Sequence, residues 1–332
     1  MSHNKDTDYL SISTRVHAME KRLLTRERME RMIEAKDHAE AAKVLSECGY
    51  GELSEVTGAA LEQTLSEAQT AVFRDLRSAV PDPALIDVFQ IKYDYHNAKV
   101  LIKAEAKNAD PTRLMMGGGR YDPETLRDAY RRDDLRDYSD AFRAAVARAK
   151  EALASTDDPQ LCDFILDKVC YEELSAAAEA SGSDFLRGYV RLLVDAINLR
   201  SAVRAARLGK SADFLAQALL SGGNVDAKTI AAAKGEELGN VFRTGALAEA
   251  AEAGAAVSAP GSGPLTQFER LCDDAVTAYL AAARRVPFGE QTVVGYLYAR
   301  ETELTAIRTI LSGRLAGLDG DTIRRRLREP YV

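Results

Sequence analysis

The 332-residue chain has no tryptophan, and its aromatic side chains amount to only 7%. Alanine, leucine, arginine and glutamate dominate instead, a composition that favours helix. Cysteine is scarce: Cys48, Cys162, Cys170 and Cys272 contain no C-x-x-C pair, so neither a zinc ribbon nor a dithiol redox motif is indicated. Cys162 and Cys170 lie two turns apart on one helical face and read as small buried residues of a reducing compartment. The histidines His3, His17, His38 and His96 are dispersed, without H-E-x-x-H or other metal spacing. Positive charge is not in excess, the net charge being -7, so no overall basic field recommends nucleic acid. No uncharged apolar run approaches the roughly 18–20 residues of a membrane span. The opening MSHNKDTDYLSISTR lacks the apolar stretch of a secretory signal.

Catalytic patterns are missing too. There is no G-x-x-x-x-G-K-[ST], and Gly117-Gly118-Gly119 is followed by Arg120 and Tyr121, so the triplet reads as a helix stop, not a phosphate cradle. There is no G-x-S-x-G elbow. No enzyme, cofactor, metal or small-molecule substrate is expected.

What is present is helical periodicity on an apolar fraction of 46%, enough to bury a core. Leu61, Leu65, Ala68, Val72, Leu76 and Ala79 recur at helical spacing until Pro81, and Ile12, Val16, Met19 and Leu23 do likewise. Met29, Met32 and Ile33 begin the next helix. No sustained period-two alternation predicts a sheet, so the expected fold class is all-α. The turn clusters MMGGGRYDP (115–123) and LSGGNVD (220–226) break the pattern, and AEAGAAVSAPGSGP (251–264) is expected to be a mobile loop.

Two motifs recur. Asp122, Asp226 and Asp319 each open D-x-x-T-[LI] after a glycine, the pattern of a glycine-ended helix followed by an aspartate N-cap. Asp94-x-x-Asn97-x-Lys99 with Lys103 is matched by Asp195-x-x-Asn198-x-Arg200 with Arg204, and more weakly by Glu303-x-x-Ala306-x-Arg308. The copies recur at roughly 105 residues, the size of a small domain. Three helical units are therefore expected, over 1–121, 122–225 and 226–332. An active site rarely occurs in triplicate, so Asp94, Asn97, Asp195, Asn198 and Glu303 read as buried polar groups that fix helix orientation. Lys99 and Lys103, like Arg200 and Arg204, share one helical face, with Arg308 in the matching place. They form either a solvated edge or a basic collar facing a partner near a pseudo-symmetry axis. The basic run from Ile323 to Arg328 is either a surface for anionic headgroups or an acidic partner, or a short amphipathic helix docked on its own unit.

The ordered set Tyr9-Leu10, Thr14-Arg15, Ala18-Met19-Glu20, Phe89 to Ala104, Ile165 to Lys168 with Tyr171, Asp195-x-x-Asn198, and Ile323-x-x-x-Leu-Arg-x-x-Tyr-Val332 resembles one family across nearly the whole chain. This family comprises the C subunits of archaeal and bacterial V/A-type ATPases, which correspond to the d subunits of eukaryotic V-ATPases. The sequence departs from it in Ala306, which replaces an amide, and in the 251–264 stretch. The resemblance implies an all-helical, funnel-shaped protein with three similar domains around a pseudo-threefold axis. It implies a non-catalytic rotor part of the central stalk. Such a part sits on the cytoplasmic face of the membrane proteolipid ring, receives the central shaft made of the D and F subunits, and transmits torque. Lys99, Lys103, Arg200, Arg204 and Arg308 become candidates for the lining of the shaft socket. The alternative from another class is a soluble three-unit scaffold with no tie to a membrane. A third reading is an enzyme using Asp94 and His96.

Overall fold

The computed structural model describes residues 5–51, 53 and 56–332, and His3 lies outside them. The described residues form helices and no strand. In chain order these are α1 (Leu10–Glu20), α2 (Arg26–Glu34), α3 (His38–Glu47), α4 (Gly58–Ala79), α5 (Ala84–Ala106), α6 (Pro123–Arg131), α7 (Asp140–Thr156) and α8 (Pro159–Ala180). There follow α9 (Asp184–Arg207), α10 (Ala212–Ala218), α11 (Ala227–Ala232), α12 (Glu237–Val241), α13 (Ala248–Ala256), α14 (Thr266–Ala281), α15 (Glu290–Leu315) and α16 (Gly320–Arg326).

The motif-bearing helices α5, α9 and α15 are the longest, and they are buried on several faces at once. Such enclosure fits a helix apolar nearly all round. They meet through an aromatic chain: Phe89 stacks on Tyr189 at 5.6 Å, and Tyr189 meets the edge of Tyr298 at 6.0 Å. The larger core runs from α1 and α5 through α7, α8, α9 and α14 to the first half of α15. A second core joins the two ends of the chain. Met32, Leu45, Leu61 and Leu65 pack there with Leu304, Ile307, Ile310, Leu311 and Ile323.

Each repeated acidic residue binds a returning backbone segment. Asn97 donates from Nδ2 to the Met116 carbonyl at 2.8 Å and accepts the Met116 N–H at 2.8 Å. Asn198 makes the same pair with Leu220, at 2.9 and 2.8 Å. Further along each segment, Asp94 accepts from Tyr121 N–H (3.2 Å) and Arg120 Nε (2.6 Å). Asp195 accepts from Val225 N–H (3.1 Å) and from Asn224 N–H and Nδ2 (3.1 and 2.8 Å). The approach is so close that a Cβ on Gly119 would stand 2.3 Å from Asp94 Oδ1, and one on Gly223 2.2 Å from Asp195 Oδ1. The two glycine clusters and the two D-x-x-N motifs are halves of one device. Asp122 and Asp226 then cap the following helices, accepting from Thr125 N–H and from Lys228 and Thr229 N–H.

The third copy differs. Glu303 accepts the N–H of Leu24 at 3.0 Å, from the opposite end of the chain, and Arg300 Nη1 at 2.6 Å. Thr25, next in sequence, caps α2 by accepting from Arg28 N–H. Thr25 thus occupies the place of Asp122 and Asp226. Asp319 does cap α16 through Thr322 N–H at 2.8 Å, but it follows α15 directly and borders no docked segment, so its likeness to the other two ends at the cap. Residues of the N-terminal helices thus pack around the second half of α15.

The loop expected over 251–264 needs correction. Residues 251–256 belong to α13, with Ala250, Ala251 and Gly254 buried. Alanine is the best helix former, and Gly254 is the point of close approach, where a Cβ would lie 2.8 Å from Phe268. The remaining turn is tied down by Arg207, which donates to the carbonyls of Ser262 and Gly263 at 2.7 and 2.6 Å.

Removing the amide should expose the cost of this docking. Asn97→Ala or Asn198→Ala strands both a buried N–H and a carbonyl, and should lower unfolding stability in urea by roughly 2–4 kcal/mol. A loss below about 0.5 kcal/mol, within the range of an ordinary surface change, would refute the assignment. Asp94 adds a pH signature. Burial pushes its carboxyl up to about 6, only partly opposed by Arg120 and the Tyr121 N–H. The folded chain therefore holds that proton more tightly than the unfolded one. The resulting stability is fully present below about 3.8 and is lost as pH rises through about 6. Asp94→Asn cannot titrate, so the parent's stability relative to this variant should fall by roughly 1–3 kcal/mol between about pH 4 and 7. A pH-independent difference would show that the carboxylate is not stressed by burial.

Candidate partner-docking site

The five basic residues singled out above each pair with an acidic side chain on another helix. Lys99 and Lys103 on α5 pair with Asp167 (2.5 Å) and Asp163 (2.6 Å) on α8. Arg200 and Arg204 on α9 pair with Asp273 and Glu269 (2.6 Å) on α14. Arg308 on α15 pairs with Glu62 (2.8 Å) on α4. In each case the base lies on a motif helix and the acid on another long helix, α8, α14 or α4. Where there are two pairs, both partners run four residues apart, so the two helix faces zip together. The third pairing returns from α15, late in the chain, to α4 near its start.

These contacts are half-exposed, which limits what each one contributes. Buried polar links supplement them. Arg120 bridges Asp94 to Glu173 of α8 (3.2 Å), and Tyr95 donates its hydroxyl hydrogen to the same carboxylate at 2.9 Å. On the other side of α5, Lys92 and Tyr93 bind Glu301 of α15, at 2.5 and 3.2 Å.

Where the long helices converge they leave a cavity of about 380 Å³. Its walls include Lys92 of α5, Tyr171 of α8, Tyr189 and Leu193 of α9, and Tyr298, Glu301, Thr302 and Thr305 of α15, and residues 326–332 form part of its rim. Burial holds the phenols of Tyr189 and Tyr298 well above their ordinary range, so they add no charge to a wall whose charged side chains are Lys92, Asp273, Glu301 and Glu303, with Arg326, Arg328 and Glu329 at the rim. None of the five basic residues lines this cavity. Nothing in the sequence pattern marked its wall, because Tyr189, Tyr298 and Thr302 sit in ordinary core spacing. The one available signal was the position of Tyr189 and Tyr298 about one and a half turns before the repeated acid.

Catalytic chemistry finds no foothold. Asp94 is fully enclosed, His96 Nε2 lies 3.0 Å from the Leu114 carbonyl, and neither residue lines the cavity. All four cysteines are free and buried. Burial pushes the thiols of Cys48 and Cys272 up to about 11 and that of Cys170 to about 12, far from nucleophilic use. Among the described residues no cluster of three His, Cys, Asp or Glu is placed to hold a metal, and no helix is long and apolar enough to cross a membrane. The basic C-terminal run lies in α16 as far as Arg326, and Ile323 there is buried against the second core. Arg324 there pairs with Glu30 (2.8 Å) and Glu34 (2.9 Å) of α2.

Comparison with known proteins finds one family model, ATP synthase (C/AC39) subunit, matching residues 12–326. The chain is 22% identical to the C subunit of the V-type sodium ATPase of Enterococcus hirae, over 98% of this chain and 99% of that protein. It is 23% identical to the C subunit of the A-type ATP synthase of Methanocaldococcus jannaschii, over 95% and 85%. With the C subunit of the V-type ATP synthase of Thermus thermophilus it shares 29% identity over 53% and 56%.

The ion pairs between units can be tested by charge exchange. Lys99→Glu with Lys103→Glu should lower stability by roughly 1–2 kcal/mol, less at high salt. Adding Asp163→Lys and Asp167→Lys should restore at least half of that loss. No restoration in thermal or urea unfolding would mean that these pairs do not join the units.

Proposed function

The chain belongs to the ATP synthase (C/AC39) subunit family, and from that premise we propose how this non-catalytic component of a rotary ATPase complex acts. It couples the membrane proteolipid ring to the central shaft of the D and F subunits, on the cytoplasmic face of the membrane, and transmits torque between ion translocation and ATP synthesis or hydrolysis. The three units, over 1–121, 122–225 and 226–332, stand around a pseudo-threefold axis as a funnel. The central cavity between α5, α9 and α15 is the socket, and the shaft meets its tyrosine and threonine wall.

The observation that carries this reading is the closed circuit of pairings between units, α5 to α8, α9 to α14 and α15 to α4, in a chain whose family match spans 12–326. A coupling must resist twist, and a closed ring of packed helices yields less than an open row because no free edge can hinge away. Lys99, Lys103, Arg200, Arg204 and Arg308 serve the socket by holding its walls together. Direct contact with the shaft at those positions would require exchanging an internal carboxylate for one on the partner, at little net gain.

Affinity purification from detergent-solubilised native membranes, with this chain as bait, tests the proposal. Recovery of shaft components, proteolipid and the catalytic subunits together is the expected result. Recovery of soluble proteins alone, with the chain absent from the membranes, would favour a three-unit helical scaffold instead.

A further inference from the structure

The last six residues, 327–332, have no helical structure and cross from one unit to another along the rim of the central cavity. Arg328 Nε donates to Asp273 Oδ2 at 2.6 Å, on the same carboxylate whose Oδ1 pairs with Arg200. The Glu329 N–H reaches Asp274 at 3.1 Å, while the Glu329 side chain crosses to Arg26 at the start of α2. Arg284 donates to the Tyr331 carbonyl at 3.2 Å. The segment therefore ties α14, at the junction of the second and third units, to α2 of the first.

Its anchor is imperfect. The Tyr331 side chain is 3% exposed and fits only because residue 295 is glycine: a Cβ there would stand 2.4 Å from the hydroxyl oxygen. That hydroxyl is buried without a hydrogen-bond partner, a cost that opposes the apolar gain of burying the ring. The remaining holds are the exposed or half-exposed ion pairs, each individually weak, and the two hydrogen bonds to the Glu329 N–H and the Tyr331 carbonyl.

We propose that residues 327–332 are a releasable strap, which narrows the central cavity in the free chain and lifts when a partner enters it. The inference rests on the cavity being the shaft socket. The unpaired hydroxyl and the shared Asp273 keep the docked state only modestly favoured. Release frees Asp273 to serve Arg200 alone, so the junction between the second and third units survives opening.

Hydrogen–deuterium exchange on the full chain and its affinity for a purified D–F shaft pair, measured together, test this. Arg328→Ala with Glu329→Ala, which spares the buried ring, should speed exchange of 327–332 and tighten shaft binding by roughly two- to tenfold. Tyr331→Phe removes the stranded hydroxyl, and should slow that exchange and weaken shaft binding by up to about tenfold. Looser straps with unchanged or weaker shaft affinity would overturn the proposal and make the segment a fixed brace. If the shaft pair binds no form of the chain, the socket reading fails instead. The strap is then judged on exchange alone, and tail amides as protected in the parent as those of α15 would overturn it.

Discussion

A carboxylate placed on the buried face of a long helix cannot reach water, so the chain must bring donors to it. Most of this architecture follows from meeting that demand three times. Asp94 and Asp195 each recruit two consecutive residues of a returning segment, and an amide one turn further along each helix pins the same segment by both of its backbone groups. An unmet buried polar group costs more than most single contacts contribute. The segment is therefore fixed in register, and the helix that follows starts at a set place. The glycine clusters are a consequence of this, since only a residue without a side chain lets backbone come so close to the carboxylate.

Glu303 is answered differently, because the segment after α15 turns into α16 and packs against α2. The donor comes instead from Leu24, which draws the N-terminal helices onto the second half of α15 and merges the two ends in one core. The longer Glu303 side chain and the buried Arg300 make up for the missing amide. Arg300 in turn lies over the Tyr50 ring at 4.7 Å. Closure of the circuit is thus an outcome of satisfying one more buried acid, and the pairing of Arg308 with Glu62 lies across the seam that results.

Stiffness between units comes from a division of labour. Apolar packing and the aromatic chain Phe89, Tyr189 and Tyr298 hold the three long helices at the centre. The half-exposed ion pairs add orienting contacts between α5 and α8, α9 and α14, and α15 and α4, each contributing little energy by itself. The strap at the cavity rim belongs to neither class, because its anchor is one aromatic ring with an unsatisfied hydroxyl.

Helices were legible from periodicity alone, because an apolar residue every three or four positions has one regular solution. The caps at Asp122, Asp226 and Asp319 were legible for the same local reason: a short acidic side chain before a helix has the N–H groups of the first turn within reach. The stretch 251–256 misled because alanine, glycine and serine are compositionally loop-like, while burial of Gly254 against Phe268 decided for helix. The repeat of acid, amide and base could be read as sequence, and with it the family. Its partners could not, because a side chain's composition does not say which distant backbone will return to it. That Leu24 answers Glu303, that five bases each meet an acid on a distant helix, and that the C-terminal residues line a cavity with α5, α9 and α15 are all contacts across long chain separations. Periodicity is a property of neighbours along the chain and is written locally. Closure depends on which buried groups remain unsatisfied once the helices have packed, and only the tertiary structure decides that.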